Sequence, residues 1–336
     1  MYNSKIIGLG HYVPDNVVTN DDLSKMIDTN DEWIQERTGI KERRWAKPED
    51  KETTFTMGLT AAKRAIAHSG LDKDEIDFII FATLSPDYYF PGPGVQIQEA
   101  LDIGTIGALD VRNQCSGFVY AVSVADQFIK TGMYKNILVI GSELQSHGID
   151  KSTRGRNISV IFGDGAGAAV LTREDDNSKG ILSTHLHSEG KHALELATEA
   201  PGMGTRWVTD IIEENNPDDL SYFPYMNGQF VFKHAVVRFS EVIIEGLVKN
   251  NLQKESIDLL IPHQANLRIS QFIQKKFDLT DDQVFNNIQK YGNTTAASIP
   301  IALSEAWEEG KIKDGDLVVL AAFGSGFTWG SVVIRW

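Results

Sequence analysis

One cysteine stands in 336 residues, and its setting suits a nucleophile. Cys115 lies in residues 110–118, Asp-Val-Arg-Asn-Gln-Cys-Ser-Gly-Phe, where a β-rich run ends and an apolar helical pattern begins. A helix N-terminus offers unpaired N–H groups and partial positive charge. Both favour thiolate, lower the thiol pKa and arm sulfur for attack on a carbonyl carbon. A lone cysteine also serves as a small buried apolar residue, so the neighbouring chemistry must decide. His263 follows the apolar run 257–262 and precedes Gln264, Ala265 and Asn266. The C-terminal end of a strand is where α/β folds place ligands, although a hydrogen-bonded structural histidine fits there equally. Asn293, in Tyr-Gly-Asn-Thr-Thr ahead of another apolar helix, reads first as an N-cap. As a set, the three are one nucleophile and two groups that can hydrogen-bond a carbonyl. Residues 322–330, Ala-Phe-Gly-Ser-Gly-Phe-Thr-Trp-Gly, form a glycine-rich turn. Such a turn lets backbone N–H groups approach a ligand closely, as an oxyanion hole requires, and a plain hairpin is the alternative.

Other chemistries are disfavoured. Residues 163–167, Gly-Asp-Gly-Ala-Gly, precede a strand-like run, not the helix that a dinucleotide loop needs. His185, His187 and His192 lack a correctly spaced acidic or cysteine partner, so no metal site is expected. No P-loop and no Gly-x-Ser-x-Gly elbow is present. A net charge of −14 argues against a nucleic-acid surface, which needs clustered Lys and Arg. A single cysteine excludes internal disulfides and suits a reducing compartment. Residues 1–16 lack a secretory apolar core. The uncharged stretch 317–334 is read as two buried strands around a tight turn, so a cytoplasmic protein without a membrane span is expected.

The elements that must position these residues alternate. Helical patterns occur at 55–70, 116–131, 230–251, 265–277 and 295–309. β-rich runs occur at 76–83, 106–111, 136–141, 158–171, 257–262, 317–323 and 331–335. The alternation argues for an α/β architecture. The chain also repeats itself. Residues 71–80 resemble 252–261, and Phe162-Gly-Asp-Gly resembles Phe323-Gly-Ser-Gly. Between the members of each pair, Cys115 and Asn293 each lead into a charge-free helix of small and apolar residues. Two similar halves are expected, 1–175 carrying the cysteine and 176–336 carrying the His/Asn pair, joined by the polar turn near 173–180. Helices without charge over two turns are buried on all sides, so their starts can converge on one cavity.

Together with residues 31–40 (Asp-Glu-Trp-Ile-Gln-Glu-Arg-Thr-Gly-Ile) and 162–167, the segments around Cys115, His263, Asn293 and Gly324 resemble the β-ketoacyl-acyl-carrier-protein synthase III family, in family order along nearly the whole chain. The resemblance implies a thiolase-like fold, with two halves in a five-layer αβαβα arrangement and a homodimer. It implies that Cys115 is acylated by an acyl-CoA and that the N–H groups of Cys115 and Ser325 form the oxyanion hole. His263 and Asn293 would hold the malonyl thioester of an acyl carrier protein during decarboxylating Claisen condensation, the step that initiates fatty acid biosynthesis. No metal or bound cofactor is implied. Trp33, Arg37 and Arg156 would bind CoA. Phe90 would close the acyl pocket from the neighbouring subunit, with Gln114 also at the pocket. Lys233, Arg268, Lys275 and Lys276 would dock the acidic carrier protein.

The resemblance has departures. Gln114 precedes the nucleophile where alanine is typical, and Ser325 replaces a usual glycine. Residues 201–223 form a longer, acidic stretch that includes Asp210, Glu213, Glu214, Asp218 and Asp219. Residues 112–117, 83–87 and 154–157 are closer to relatives that make alkylquinolones or dialkylresorcinols, so a secondary-metabolic condensing enzyme is the rival expectation. A non-catalytic subunit of the same fold would lack the nucleophile. A thiolase would need a second reactive cysteine.

Overall fold

The computed structural model describes residues 2–176, 178–202, 204, 208–214, 216 and 219–336. Asp218 of the acidic stretch lies outside them. The first half opens with β1 (Asn3–Tyr12), a ribbon of β2 (Val17–Thr19) and β3 (Glu42–Arg44), and helices α1 (Asn20–Ser24), α2 (Asp31–Thr38) and α3 (Thr54–Ser69). It continues through β4 (Phe78–Ala82), α4 (Pro93–Ala100), β5 (Gly107–Val111), α5 (Gly117–Lys130), β6 (Asn136–Glu143), α6 (Arg156–Ser159) and β7 (Gly165–Glu174). The second half runs through β8 (Gly180–Ser188), β9 (Leu196–Ala197), α7 (Val208–Glu214), β10 (Tyr225–Met226), α8 (Gly228–Lys249), β11 (Leu259–Pro262) and α9 (Leu267–Phe277). It ends with α10 (Ile288–Tyr291), α11 (Ser298–Glu308), β12 (Leu317–Gly324) and β13 (Thr328–Arg335).

Two sheets carry the duplication. The first has the order β5-β4-β6-β7-β1 and the second β11-β12-β13-β8. In both, one parallel pair (β4 with β6, β11 with β12) is followed by two antiparallel pairs. The isolated parallel bridge Leu260–Val284 stands where β5 stands in the first sheet. Helices α5 and α11 lie between the sheets, α3 and α4 cover the outer face of the first, and α8 and α9 cover the outer face of the second. This is a thiolase-like five-layer arrangement.

Burial on both faces explains the unbroken apolar runs of the central strands. Ile137 and Val139 of β6 enter the central core, while Leu138 and Ile140 enter the core beneath α3. Val318 and Leu320 of β12 face inward, while Leu317 and Val319 meet the α8/α9 layer. All nine residues from Ser298 to Ala306 of α11 are buried, as expected for a helix enclosed by two sheets.

Two features differ from the sequence expectation. The run 158–171 is not one strand, because α6 and a turn occupy its first part and β7 begins at Gly165. That first part meets the other half instead, where Phe162 bridges Asn293. Strand β1, unmarked by alternation, is recognisable only by its packing. A Cβ on Gly10 would sit 2.5 Å from the Ala65 nitrogen, so glycine lets α3 lie directly on the strand. Among the described residues, no helix is long and apolar enough to cross a membrane.

Candidate active site

Cys115 occupies a single 3-10 turn, Gln114–Ser116, that feeds α5. Gln114 takes a left-handed backbone (φ 42°), which turns the chain sharply before the cysteine. The other half repeats the device. Thr295 (φ 47°) opens the turn Thr295–Ala297 that feeds α11, so Ala296 is the counterpart of Cys115. The two turns touch, and a Cβ on Gly117 would lie 3.4 Å from that of Ala296.

The backbone N–H groups of Cys115 and Ser325 both favour negative charge on the cysteine sulfur. The β12–β13 hairpin brings Ser325 there. Gly324 permits this approach, since a Cβ on it would lie 2.7 Å from that of Cys115. The Ser325 hydroxyl donates to the Leu196 carbonyl, which fixes the hairpin tip against β9.

His263 stands just beyond β11, and its backbone N–H donates to the Ala321 carbonyl at 2.8 Å. Its Nδ1 is 2.5 Å from Ser298 Oγ, and its buried Nε2 has no hydrogen-bond partner. Asn293 is not an ordinary N-cap. Its Oδ1 accepts the Thr295 N–H at 2.8 Å, which leaves its NH2 group for the cavity that it lines. Ser298 was not singled out from the sequence. It belongs to a run of small residues that marks a buried helix, and no spacing shows that its hydroxyl meets a histidine from another element.

Cys115, His263 and Asn293 line one cavity of about 820 Å³. It runs from these buried residues out to Trp33, Arg37, Lys233 and Arg268, whose side chains are partly or fully exposed. Arg37 and Arg156 both lie over the Trp33 ring, 4.5 and 4.9 Å from its centre. Arg156 also donates to the Asp28 carbonyl at 2.7 Å. Leu196 and Met226, at the ends of the ribbon β9–β10, line the cavity. The acidic α7 lies between them in sequence, with Asp210, Glu213 and Glu214 exposed.

Several expected residues lie elsewhere. Gln114 does not line the cavity of its own chain, because its strained backbone serves to present the next residue. Phe90 is also away from that cavity, 81% exposed beside exposed Tyr88 and Tyr89. Lys275 and Lys276 do not line the cavity. Lys276, in the last turn of α9, lines a neighbouring groove with Ile244, Val248 and Phe277.

Burial overrides the helix N-terminus in setting the charge states. It pushes the Cys115 thiol up to about 12, with the nearby Glu143 carboxylate adding to the rise and the two N–H groups opposing it. The expectation of a resting thiolate is therefore corrected. Cys115 is 7% exposed, and a charge there loses its water. Burial also pushes His263 down to about 3. The pair rests as neutral thiol and neutral imidazole.

Comparison with known proteins agrees with this architecture. Residues 109–190 match the family model 3-oxoacyl-[acyl-carrier-protein] synthase III, and residues 247–336 match its C-terminal counterpart. The β-ketoacyl-[acyl-carrier-protein] synthase III of Salmonella typhi is 48% identical over 332 residues, covering 99% of both chains. The crystal structure of 3-oxoacyl-[acyl-carrier-protein] synthase III from Aquifex aeolicus VF5 has a TM-score of 0.90 at 45% identity, covering 99% of this chain and 100% of that one. The Thermus thermophilus synthase III structure has a TM-score of 0.90 at 37% identity and covers 99% of each. Fold and relatives define a condensing enzyme of the acyltransferase type, built on the thiolase fold. Within that class, the chain belongs to the β-ketoacyl-acyl-carrier-protein synthase III family.

Proposed function

We propose that the protein joins an acyl-CoA primer to a malonyl-acyl-carrier protein by decarboxylating Claisen condensation, the initiating step of fatty acid biosynthesis. The observation that carries this reading is the meeting of Cys115, Asn293 and an unpartnered His263 Nε2 in one cavity.

Cys115 Sγ attacks the acyl-CoA carbonyl, and the C–S bond to CoA breaks. The thiol proton leaves on the CoA thiol. The oxyanion formed on the way is met by the N–H groups of Cys115 and Ser325. The malonyl thioester then enters, with its carbonyl oxygen at His263 Nε2 and Asn293 Nδ2. The bond to its carboxylate breaks, CO2 departs, and the electron pair becomes an enolate that the same donors stabilise. The enolate carbon attacks the acyl-Cys115 carbonyl, forms the new carbon–carbon bond and expels the Cys115 sulfur as a thiolate, which takes a proton from water to regain the resting thiol. Negative charge is met by N–H donors throughout, so the chemistry calls for neither a metal nor a bound cofactor. Ser298 donating to His263 Nδ1 would place the ring proton on Nε2, the tautomer that this role needs.

Trp33, Arg37 and Arg156 offer an aromatic face and two guanidinium groups to the adenine and phosphates of CoA. Lys233 and Arg268 offer positive charge at the mouth to an acidic carrier protein, on a chain that is itself acidic. The exposure of Phe90 suits a residue that closes the cavity of a second copy, so a homodimer is part of the proposal.

Incubation with a panel of acyl-CoAs followed by mass spectrometry tests the reading. A mass gain on Cys115 from short acyl groups, discharged by malonyl-carrier protein, is the expected result. Loading only by long or aromatic acyl groups would transfer the enzyme to secondary metabolism. Turnover by Cys115→Ala equal to that of the parent would defeat the covalent route.

A further inference from the structure

Glu143, the last residue of β6, is fully buried and has no role in the chemistry above. Its carboxylate accepts hydrogen bonds from the first half and is linked through Gln145 to the second. From the loop after β4 come the Thr83 hydroxyl at 3.1 Å, the Leu84 and Ser85 N–H groups at 3.2 Å and the Ser85 hydroxyl at 2.5 Å. The N–H of Ala296, in the second half and the counterpart of Cys115, helps to stabilise the carboxylate's charge. Gln145 reinforces the link, donating to Thr295 Oγ1 at 3.1 Å and to Glu143 at 3.4 Å.

The segment thus held supplies one donor of the second substrate site and the support of the other. It contains Asn293, whose Oδ1 is fixed by Thr295, and Ser298, whose hydroxyl holds His263. It also touches the turn that carries Cys115. We infer that Glu143 is a positioning residue for the reaction: its buried carboxylate clamps the start of α11 to β6 and so registers Asn293 and the Ser298-held His263 against Cys115. The inference rests on the functional reading above and deepens it.

The clamp has an electrostatic consequence. The Glu143 carboxylate faces Cys115 and opposes thiolate there. Among the described residues no Lys, Arg or His pairs with Glu143, and its contacts are hydroxyl, amide and backbone N–H groups. Desolvation pushes Glu143 up to about 7, with those hydrogen bonds opposing the rise. Above that pH its negative charge is present and suppresses the thiolate, and below it the charge is gone.

Two variants of the full-length enzyme test this. Alkylation of Cys115 by iodoacetamide needs no substrate. The rate ratio of Glu143→Gln to wild type should rise from about 1 at pH 6 to at least about 3 at pH 8. Glu143→Ala should lower the condensation kcat by at least about tenfold while leaving the acyl-CoA KM within about twofold. A ratio flat between pH 6 and 8, or a wild-type kcat in Glu143→Ala, overturns the inference. A lower melting temperature and lower kcat with an unmoved alkylation profile marks a merely structural residue and also counts against it. Absence of condensation by the wild-type enzyme would strike the functional reading, and the alkylation ratio would still judge Glu143.

Discussion

His263 Nδ1 and Ser298 Oγ lie 2.5 Å apart in a floor that leaves His263 Nε2 without a partner. The serine hydroxyl also accepts the Gln264 N–H at 3.4 Å, so its own proton is left for Nδ1. That directs the imidazole N–H into the cavity. Ser298→Ala removes the constraint on tautomer and ring angle while leaving Cys115 untouched. Condensation kcat should fall about tenfold, and acylation of Cys115 by acyl-CoA should stay within about twofold. Rapid-quench measurement of the two half-reactions checks the split, and equal losses in both would refute the assigned role.

The neutral imidazole predicts a particular acid response. In the unfolded chain His263 takes its proton near the ordinary value of 6.5, whereas burial in the fold pushes it down to about 3. Between these values the unfolded chain binds the extra proton, so stability present above 6.5 is lost as pH falls. Glu143 acts with the opposite sign, because its raised value favours the fold below about 4.5 and that gain is lost as pH rises through 7. His263→Gln removes the first contribution alone. The stability difference between pH 7 and pH 4, from urea unfolding, should shrink by roughly 2 to 4 kcal/mol relative to wild type. An unchanged difference would show that His263 is not held neutral.

Much of this site was legible along the chain, and the illegible parts share a physical cause. A cysteine at a strand-to-helix junction, a histidine at a strand end and an asparagine before a buried helix are local patterns, and these three do line one cavity. The two similar halves were legible from the paired segments 71–80 with 252–261 and 162–165 with 323–326, whereas the strand order was not. Partnerships between distant segments leave no such trace. Nothing near Ser298 announces His263, and nothing near Glu143 announces Ala296. The thiol's charge state was misread for a related reason, since helix-end polarity is local whereas desolvation depends on everything packed around the sulfur. Helical spacing groups Lys275 and Lys276 with Arg268, and of the three only Arg268 lines the cavity.

Trp33 sits under two guanidinium groups, Arg37 at 4.5 Å and Arg156 at 4.9 Å. If this stack receives the CoA adenine, Trp33→Ala should raise the acyl-CoA KM about 5- to 30-fold through loss of stacking and cation–π contact. The KM for malonyl-carrier protein should stay within about twofold, because no adenine is presented in that half-reaction. Steady-state kinetics with each substrate varied in turn separates the two, and a parallel rise in both constants would remove Trp33 from CoA recognition.

Lys233 and Arg268 are the two expected docking cations that the structure places on the cavity lining. Arg268→Glu should raise the carrier-protein KM by about tenfold and weaken its salt dependence, since a rim charge acts through steering. The same change should leave the acyl-CoA KM within about twofold. Lys276→Glu, in the neighbouring groove, is expected to have the smaller effect, and the reverse ranking would move the docking surface onto the far end of α9.

Gly324 is the sharpest steric test of the nucleophile's position. A methyl group there would meet the Cys115 Cβ at 2.7 Å and its nitrogen at 3.1 Å, closer than atoms can stand. Cys115 cannot retreat easily, because Gln114 behind it already holds a left-handed backbone and α5 begins immediately ahead. The strain must therefore shift Ser325 and its N–H away from the sulfur. Gly324→Ala should slow acylation of Cys115 at least about 100-fold, a displacement of about 1 Å being enough for such a loss. The thermal melt should show a folded protein, and acyl-CoA should still bind at the Trp33 stack. Intact-mass spectrometry of the acyl-enzyme over time gives the rate. Acylation at the wild-type rate would mean that the Ser325 N–H takes no part in stabilising the oxyanion.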